Sequence, residues 1–142
     1  IIYNYPEKKA IRYLSKFKKN KIEHLKSSFD LDKFVFDPFA AIYYLRTVNL
    51  NVNTLVSIPV SSSDDIYDLK IKVVKLEKLD TKIGRINCYK VKPLLLKEGI
   101  FITKGEMEVW LTADNRKIPV KMKSQIPVGA ITAIIETYKS GD

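Results

Sequence analysis

The chain is poor in the residues from which sites are most often built. It has one cysteine, Cys88, and one histidine, His24, which excludes an internal disulfide, a cysteine-rich metal centre and a histidine metal cluster. Its glycines, at positions 84, 99, 105, 129 and 141, are scattered, so no glycine-rich loop can cradle a phosphate. No run of eighteen apolar residues occurs, and no segment has the pattern of a membrane-spanning helix. Arginine is scarce as well: Arg12, Arg46, Arg85 and Arg116 are four of 25 basic residues. The net charge of +9 is therefore carried by lysine, which blunts strand edges and lacks the planar fork favoured in phosphate and base recognition. A solvated lysine surface is the simpler reading, and a nucleic-acid partner is not expected.

What is present suits a folded domain. A length of 142 residues with 46% hydrophobic and 29% charged side chains implies one globular domain over residues 1–142 with a core of its own. The first residues, Ile1 to Tyr5, include no initiator methionine and read as a strand entering a turn at Pro6. The chain is expected to be a fragment whose upstream part, with any targeting signal, has been removed.

Alternation of apolar and charged residues dominates. Ile11, Tyr13 and Phe17 alternate with Arg12, Lys16 and Lys18, the tip Lys18-Lys19-Asn20-Lys21 follows, and Ile22 resumes the pattern. This predicts a hairpin with Phe17 opposite Ile22 and Asn20 at a positive backbone angle. One basic amphipathic helix over residues 8–25 is the rival reading. Later come strands over residues 54–60, 66–79, 85–96, 102–112, 117–126 and 130–138, a meander. In the strand at 66–79 the inward set passes from Leu69, Ile71 and Val73 to Val74 and Leu76, which predicts a β-bulge near Val73. Pro93 predicts an edge or an interrupted ladder. For the 102–126 hairpin, Thr112 opposite Lys117 sets Leu111, Val109 and Met107 against Ile118, Val120 and Met122. The same register sets Glu108 and Glu106 against Lys121 and Lys123, and Trp110 on the charged face opposite Pro119.

The exception to strand patterning is D-P-F-A-A-I-Y-Y-L-R, residues 37–46. Asp37 can cap backbone amides, Pro38 suits the first helical position, and Arg46 suits the negative end of the dipole. A helix over about 38–47 would carry Phe39, Ile42 and Tyr43 on one face and Ala41, Tyr44, Leu45 and Val48 on another, so burial on more than one side is expected. The expected fold is mainly β: a curved antiparallel meander forming a barrel-like or half-barrel sheet, with this short helix packed on or inside its concave face.

The segment D-P-F-A-A-I-Y-Y-L-R, the strand T-K-I-G-R-I-N-C-Y-K-V-K-P, the hairpin M-E-V-W-L-T-A-D-N-R-K-I-P-V-K-M and P-V-G-A-I-T-A occur in this order. Together they resemble the bacterial family called domain of unknown function 3108, over about residues 10–136. Most specific are the aspartate-initiated helix ending in Y-Y-L-R and the W-L-T-x-D-x-R hairpin leading to Pro-Val, here with Lys117 and Ile118 before the Pro-Val. The resemblance implies an exported, periplasmic or lipoprotein-like protein of the cell envelope. It supplies no activity, cofactor or catalytic residues.

No set of acid, base and nucleophile is legible, and an enzyme is not expected. His24 reads as a surface strand residue and Cys88 as a small buried hydrophobe. Asp64-Asp65 and Asp114-Asn115 lack the ligand number and spacing of a calcium loop and read as turn chemistry. Glu106 and Glu108 read as a salt-bridged strand face. Two features ask for more. Tyr43, Tyr44 and Arg46 end the helix with polar tips that need partners, either structural or in a pocket for an anionic or amphiphilic ligand. Trp110 is either shielded by lysine stems or an anchor for a partner. The expected roles are a noncatalytic envelope module taking a lipid-like ligand, or an assembly module binding another envelope protein, with no cofactor and no metal.

Overall fold

Alternating sequence becomes strand almost wherever it occurs. A computed structural model describes residues 1–31, 33–62, 65–97, 100–102 and 107–140. Three strands, β1 (Ile2–Asn4), β2 (Lys9–Lys18) and β3 (Lys21–Asp30), form a small antiparallel sheet in that order. The larger sheet contains β4 (Leu55–Ser62), β5 (Asp65–Thr81), β6 (Gly84–Lys97), β7 (Ile100–Ile102), β8 (Met107–Thr112), β9 (Pro119–Ile126) and β10 (Gly129–Ile134). Its order is β10-β9-β8-β6-β5-β4, and β7 pairs with the far end of β6. The helix α1 (Pro38–Tyr44) continues as a 3-10 turn over Leu45–Thr47. Of the expected Asp64-Asp65 turn, Asp64 lies outside the described residues, as do Gly99, Gly105, Glu106 and Gly141, whereas Asp65 already opens β5.

The mainly β, antiparallel architecture is as expected, with two corrections. The strands divide between two sheets because, among the described residues, β2 pairs only with β1 and β3, and β3 only with β2. The small sheet joins the larger one through side chains: Ala10, Leu31 and Val35 form a cluster with Tyr3, Phe29 and Ile66. The larger sheet also remains open, with β4 and β10 at the two ends of its strand order, so it is not a closed barrel.

Local turn chemistry is largely as read. Phe17 stands opposite Ile22, and Lys19 and Asn20 have φ of 48° and 60°, which closes a tight hairpin and excludes the single basic helix. The β5–β6 register shifts between Val73 and Lys75. Leu69, Ile71 and Val73 therefore face the helix, while Glu77 and Leu79 beyond the bulge share the opposite face with Cys88 and Ile86. Pro93 pairs with Ile71, beyond the Cys88–Val91 stretch that β6 shares with β8, so the missing N–H falls where that ladder has stopped.

The β8–β9 register differs. Val109 faces Met122, Glu108 faces Lys123 and Trp110 faces Lys121, with a shift between Trp110 and Leu111 that sets Leu111 opposite Pro119. A longer turn causes it. Asp114 accepts from the amides of Arg116 and Lys117, Lys117 takes φ of 45°, and Thr112 bonds the Ile118 backbone in both directions. Val120 consequently packs with Trp110 and Ile118 rather than with Val109. The last strand ends at Ile134; Ile135 donates to Val120 and covers that second cluster.

The helix occupies its expected place, capped by Asp37 Oδ1 accepting from Phe39 and Ala40 at 2.8 and 3.0 Å. A parallel bridge between Phe36 and Val60 ties its entry to β4. Burial on several sides is not observed. Ala41 and Leu45 are buried and Ile42 half-buried, whereas Phe39 is 72% and Tyr43 60% exposed. A two-turn helix on one sheet buries one stripe, and among the described residues no layer covers the other. Leu45→Ala is expected to destabilise the protein by about 2–5 kcal/mol in urea unfolding. Tyr43→Ala is expected to stay within about 0.5 kcal/mol of the parent.

Candidate functional site

The stripe that α1 turns inward does not fill the space beneath it. A cavity of about 260 Å³ lies between the helix, through Pro38, Phe39, Ile42 and Leu45, and the sheet. Strand β5 contributes Tyr67, Leu69 and Ile71; β6 contributes Val91 and Pro93; β8 contributes Met107 and Val109. The chain makes this void for a definable reason. Beyond Val91, β6 has left its ladder with β8, and proline supplies a short ring where a longer side chain could have reached the helix. Among the described lining residues Tyr67 has the only hydroxyl, and the exposed Phe39 stands at the rim. Such a lining holds apolar matter and offers almost nothing to orient a polar group.

Tyr43, Tyr44 and Arg46 do not line this cavity. Tyr43 points to solvent. Tyr44 packs on Phe36 with ring centroids 4.8 Å apart, and the contacts continue through Phe34 and Tyr5 to Tyr3 in the small sheet. Tyr5 donates to the Val35 carbonyl at 2.7 Å, and burial raises its pKa against the lowering effect of that bond. Arg46 reaches the β8–β9 turn, where Nε donates to the Arg116 carbonyl at 2.9 Å, while Lys117 Nζ donates to the Arg46 carbonyl at 3.3 Å. The polar end of the helix thus docks it to the hairpin.

Trp110 lies on the opposite face of the sheet, only 4% exposed, against Cys88, Ile118 and Val120. Its Nε1 donates to Glu77 Oε1 at 2.8 Å, and the ammonium groups of Lys90 and Lys121 lie 5.0 and 4.8 Å from its ring. Glu77 also pairs with Lys75 at 2.8 Å, a hydrogen bond that is the main cause of its lowered pKa. Glu108, beside the ring on the same face, receives Lys90 and Lys92 at 2.7 and 2.8 Å. Burial alone would raise the Glu108 carboxyl; the two lysine bonds outweigh it and hold it below the usual value. Its ion pairs run to β6, which no local pattern in the sequence announces, because the β6–β8 ladder is a long-range pairing.

The remaining candidates are accounted for locally. A more open cleft of about 570 Å³ includes Asp114, Arg116 and Tyr138. Asp114 Oδ1 already accepts from Thr112 at 2.5 Å and Oδ2 from Arg116 at 2.7 and 2.8 Å, and the cleft's other base, Arg85, lies 3.6 Å from Asp80. His24 Nδ1 lies 2.9 Å from Ser15 Oγ on an exposed hairpin face. Cys88 is fully buried, and desolvation pushes its thiol up to about 11. Among the described residues no group of three or more His, Cys, Asp or Glu side chains could hold a metal ion.

Two outcomes are expected. Cys88 resists thiol reagents at neutral pH in the folded protein and reacts on unfolding, which a colorimetric thiol assay with and without urea measures. Glu77 and Glu108 have folded-state pKa values below the ordinary 4.5. Their stabilisation is therefore present above that value and is lost as pH falls through the lower folded values. Glu108→Gln should lower stability at pH 7 by about 1.5–3 kcal/mol and make the acid decline shallower, as read by urea midpoints across the acid range.

No curated protein and no solved structure matches the chain, and no helix among the described residues is long and apolar enough to cross a membrane. The motifs quoted above sit on α1, β6, the β8–β9 hairpin and the turn into β10. A family model covering residues 1–136 contains all of them, and the chain belongs to that family, described as Protein of unknown function (DUF3108).

Proposed function

We propose that the protein is a noncatalytic module of the bacterial envelope, periplasmic or lipoprotein-like, that holds an apolar or amphiphilic ligand beneath α1. The envelope assignment extends the resemblance set out above. The observation that carries the binding role is the apolar cavity between Ile42, Leu45 and the β5–β6–β8 surface. Its 260 Å³ falls just below the range of about 300–1,000 Å³ usual for whole drug-sized ligands. It therefore suits one acyl chain or ring whose polar end remains outside, past Phe39. A second reading, an assembly module that binds another envelope protein, draws on the outer face of the same helix, where Phe39 and Tyr43 are exposed.

Native mass spectrometry of protein purified from its own envelope, followed by extraction of bound lipid, tests the proposal. A stoichiometric acyl ligand is expected. Ile42→Phe, which fills the cavity from the helix side, should weaken binding of a medium-chain fatty acid about tenfold, equivalent to about 1.4 kcal/mol. Protein that carries no ligand, takes up no fatty acid and travels instead in a stable protein complex would replace this reading with assembly.

A further inference from the structure

The β2–β3 hairpin extends beyond the sheet that anchors it. β1 pairs with β2 only at Lys9, Ala10 and Ile11. From Arg12 onward β3 is the sole ladder partner of β2 among the described residues, and every residue from Tyr13 to Lys26 except Leu14 is exposed. At about 3.3 Å per residue this two-stranded arm reaches about 20 Å from Arg12 to Lys18. A two-stranded ribbon is marginally stable when left in water, yet its tip carries large apolar side chains. The last apolar pair, Phe17 and Ile22, is 75% and 62% exposed, and Tyr13 and Leu25 are also exposed.

Charge surrounds this apolar end. Lys16, Lys18, Lys19 and Lys21 bracket Phe17 and Ile22, and residues 12–26 contain six cationic side chains against one acid, Glu23. Lys19 holds φ of 48°, a backbone angle better suited to Asn or Gly, so the turn carries a cation where backbone preference favours another residue. Phe17, Ile22 and Tyr13 share one face of the ribbon, while Leu14 and Leu25 share the other. A partner lying flat against one face would leave the other apolar pair in water. A medium entered tip first takes Phe17 and Ile22 together with the lysines that bracket them and needs neither face to be covered.

We propose that this tip is a peripheral membrane contact for an anionic lipid surface. Phe17 and Ile22 enter the boundary between headgroups and acyl chains, and the four bracketing lysines lay their stems beside them with ammonium groups on lipid phosphates. The contact is independent of the cavity beneath α1, so either reading can fail without the other.

Co-sedimentation of the whole chain with vesicles tests it, using phosphatidylcholine alone and phosphatidylcholine containing about one-third phosphatidylglycerol. Binding is expected only to the anionic vesicles, falling as salt rises from about 0.05 to about 0.5 M. Each of Lys18→Ser, Lys19→Ser and Lys21→Ser should lower partitioning roughly fivefold, and Phe17→Ser about tenfold or more. These side chains are exposed, so circular dichroism of the variants should match the parent. Absence of binding by the parent, equal binding to neutral vesicles, or binding indifferent to Phe17→Ser would overturn the proposal. So would tighter retention on a single-stranded oligonucleotide to which Phe17 contributes nothing.

Discussion

The larger sheet depends on a four-residue ladder, Cys88–Val91 against Val109–Thr112, that is covered on both faces. Tyr89, Val91, Val109 and Leu111 look toward the helix, and Cys88, Lys90, Trp110 and Thr112 look the other way. A sheet with two different covers cannot keep a single inward register along every strand. The shifts after Val73 and at Val120 resolve this by exchanging faces on either side of the ladder. Val73 can serve the helix side while Glu77, four residues later, meets Trp110 on the other.

The two covers differ in chemistry. On the helix side the side chains are apolar and the packing leaves space, because α1 is short and the β6–β8 ladder stops before Pro93. On the Trp110 side the space is taken by an ion-paired lattice. The Lys90 and Lys121 ammonium groups lie over the ring, while Glu77 pairs with Lys75 and Glu108 with Lys90 and Lys92. The first arrangement can admit an apolar guest. The second spends its polar groups on each other, and its tryptophan is largely covered.

Much of this was legible locally. The β2–β3 register, the Asn20 turn, the bulge near Val73, the Asp37 cap and the helix at 38–47 all follow from neighbouring residues, because alternation, turn chemistry and capping act over a few positions. The faces of α1 were not legible. Phe39 and Tyr43 look as apolar as Ile42 and Leu45, and which pair meets the sheet depends on how the Phe36–Val60 bridge aims the helix. Tyr43, Tyr44 and Arg46 stood out because they join aromatic and polar character. The cavity instead uses side chains that individually read as ordinary core.

The amino-acid sequence by itself determined strand spacing, turn positions, the sign and kind of surface charge and the family, since each is written in short-range pattern or motif. Tertiary structure decided that the strands divide into two sheets, that the larger one stays open, and that Glu108 finds Lys90 and Lys92 across β6. It also decided where the helix leaves a void. Those outcomes depend on which distant strands pair and on how completely side chains from separate elements fill a shared volume, quantities that no single segment carries.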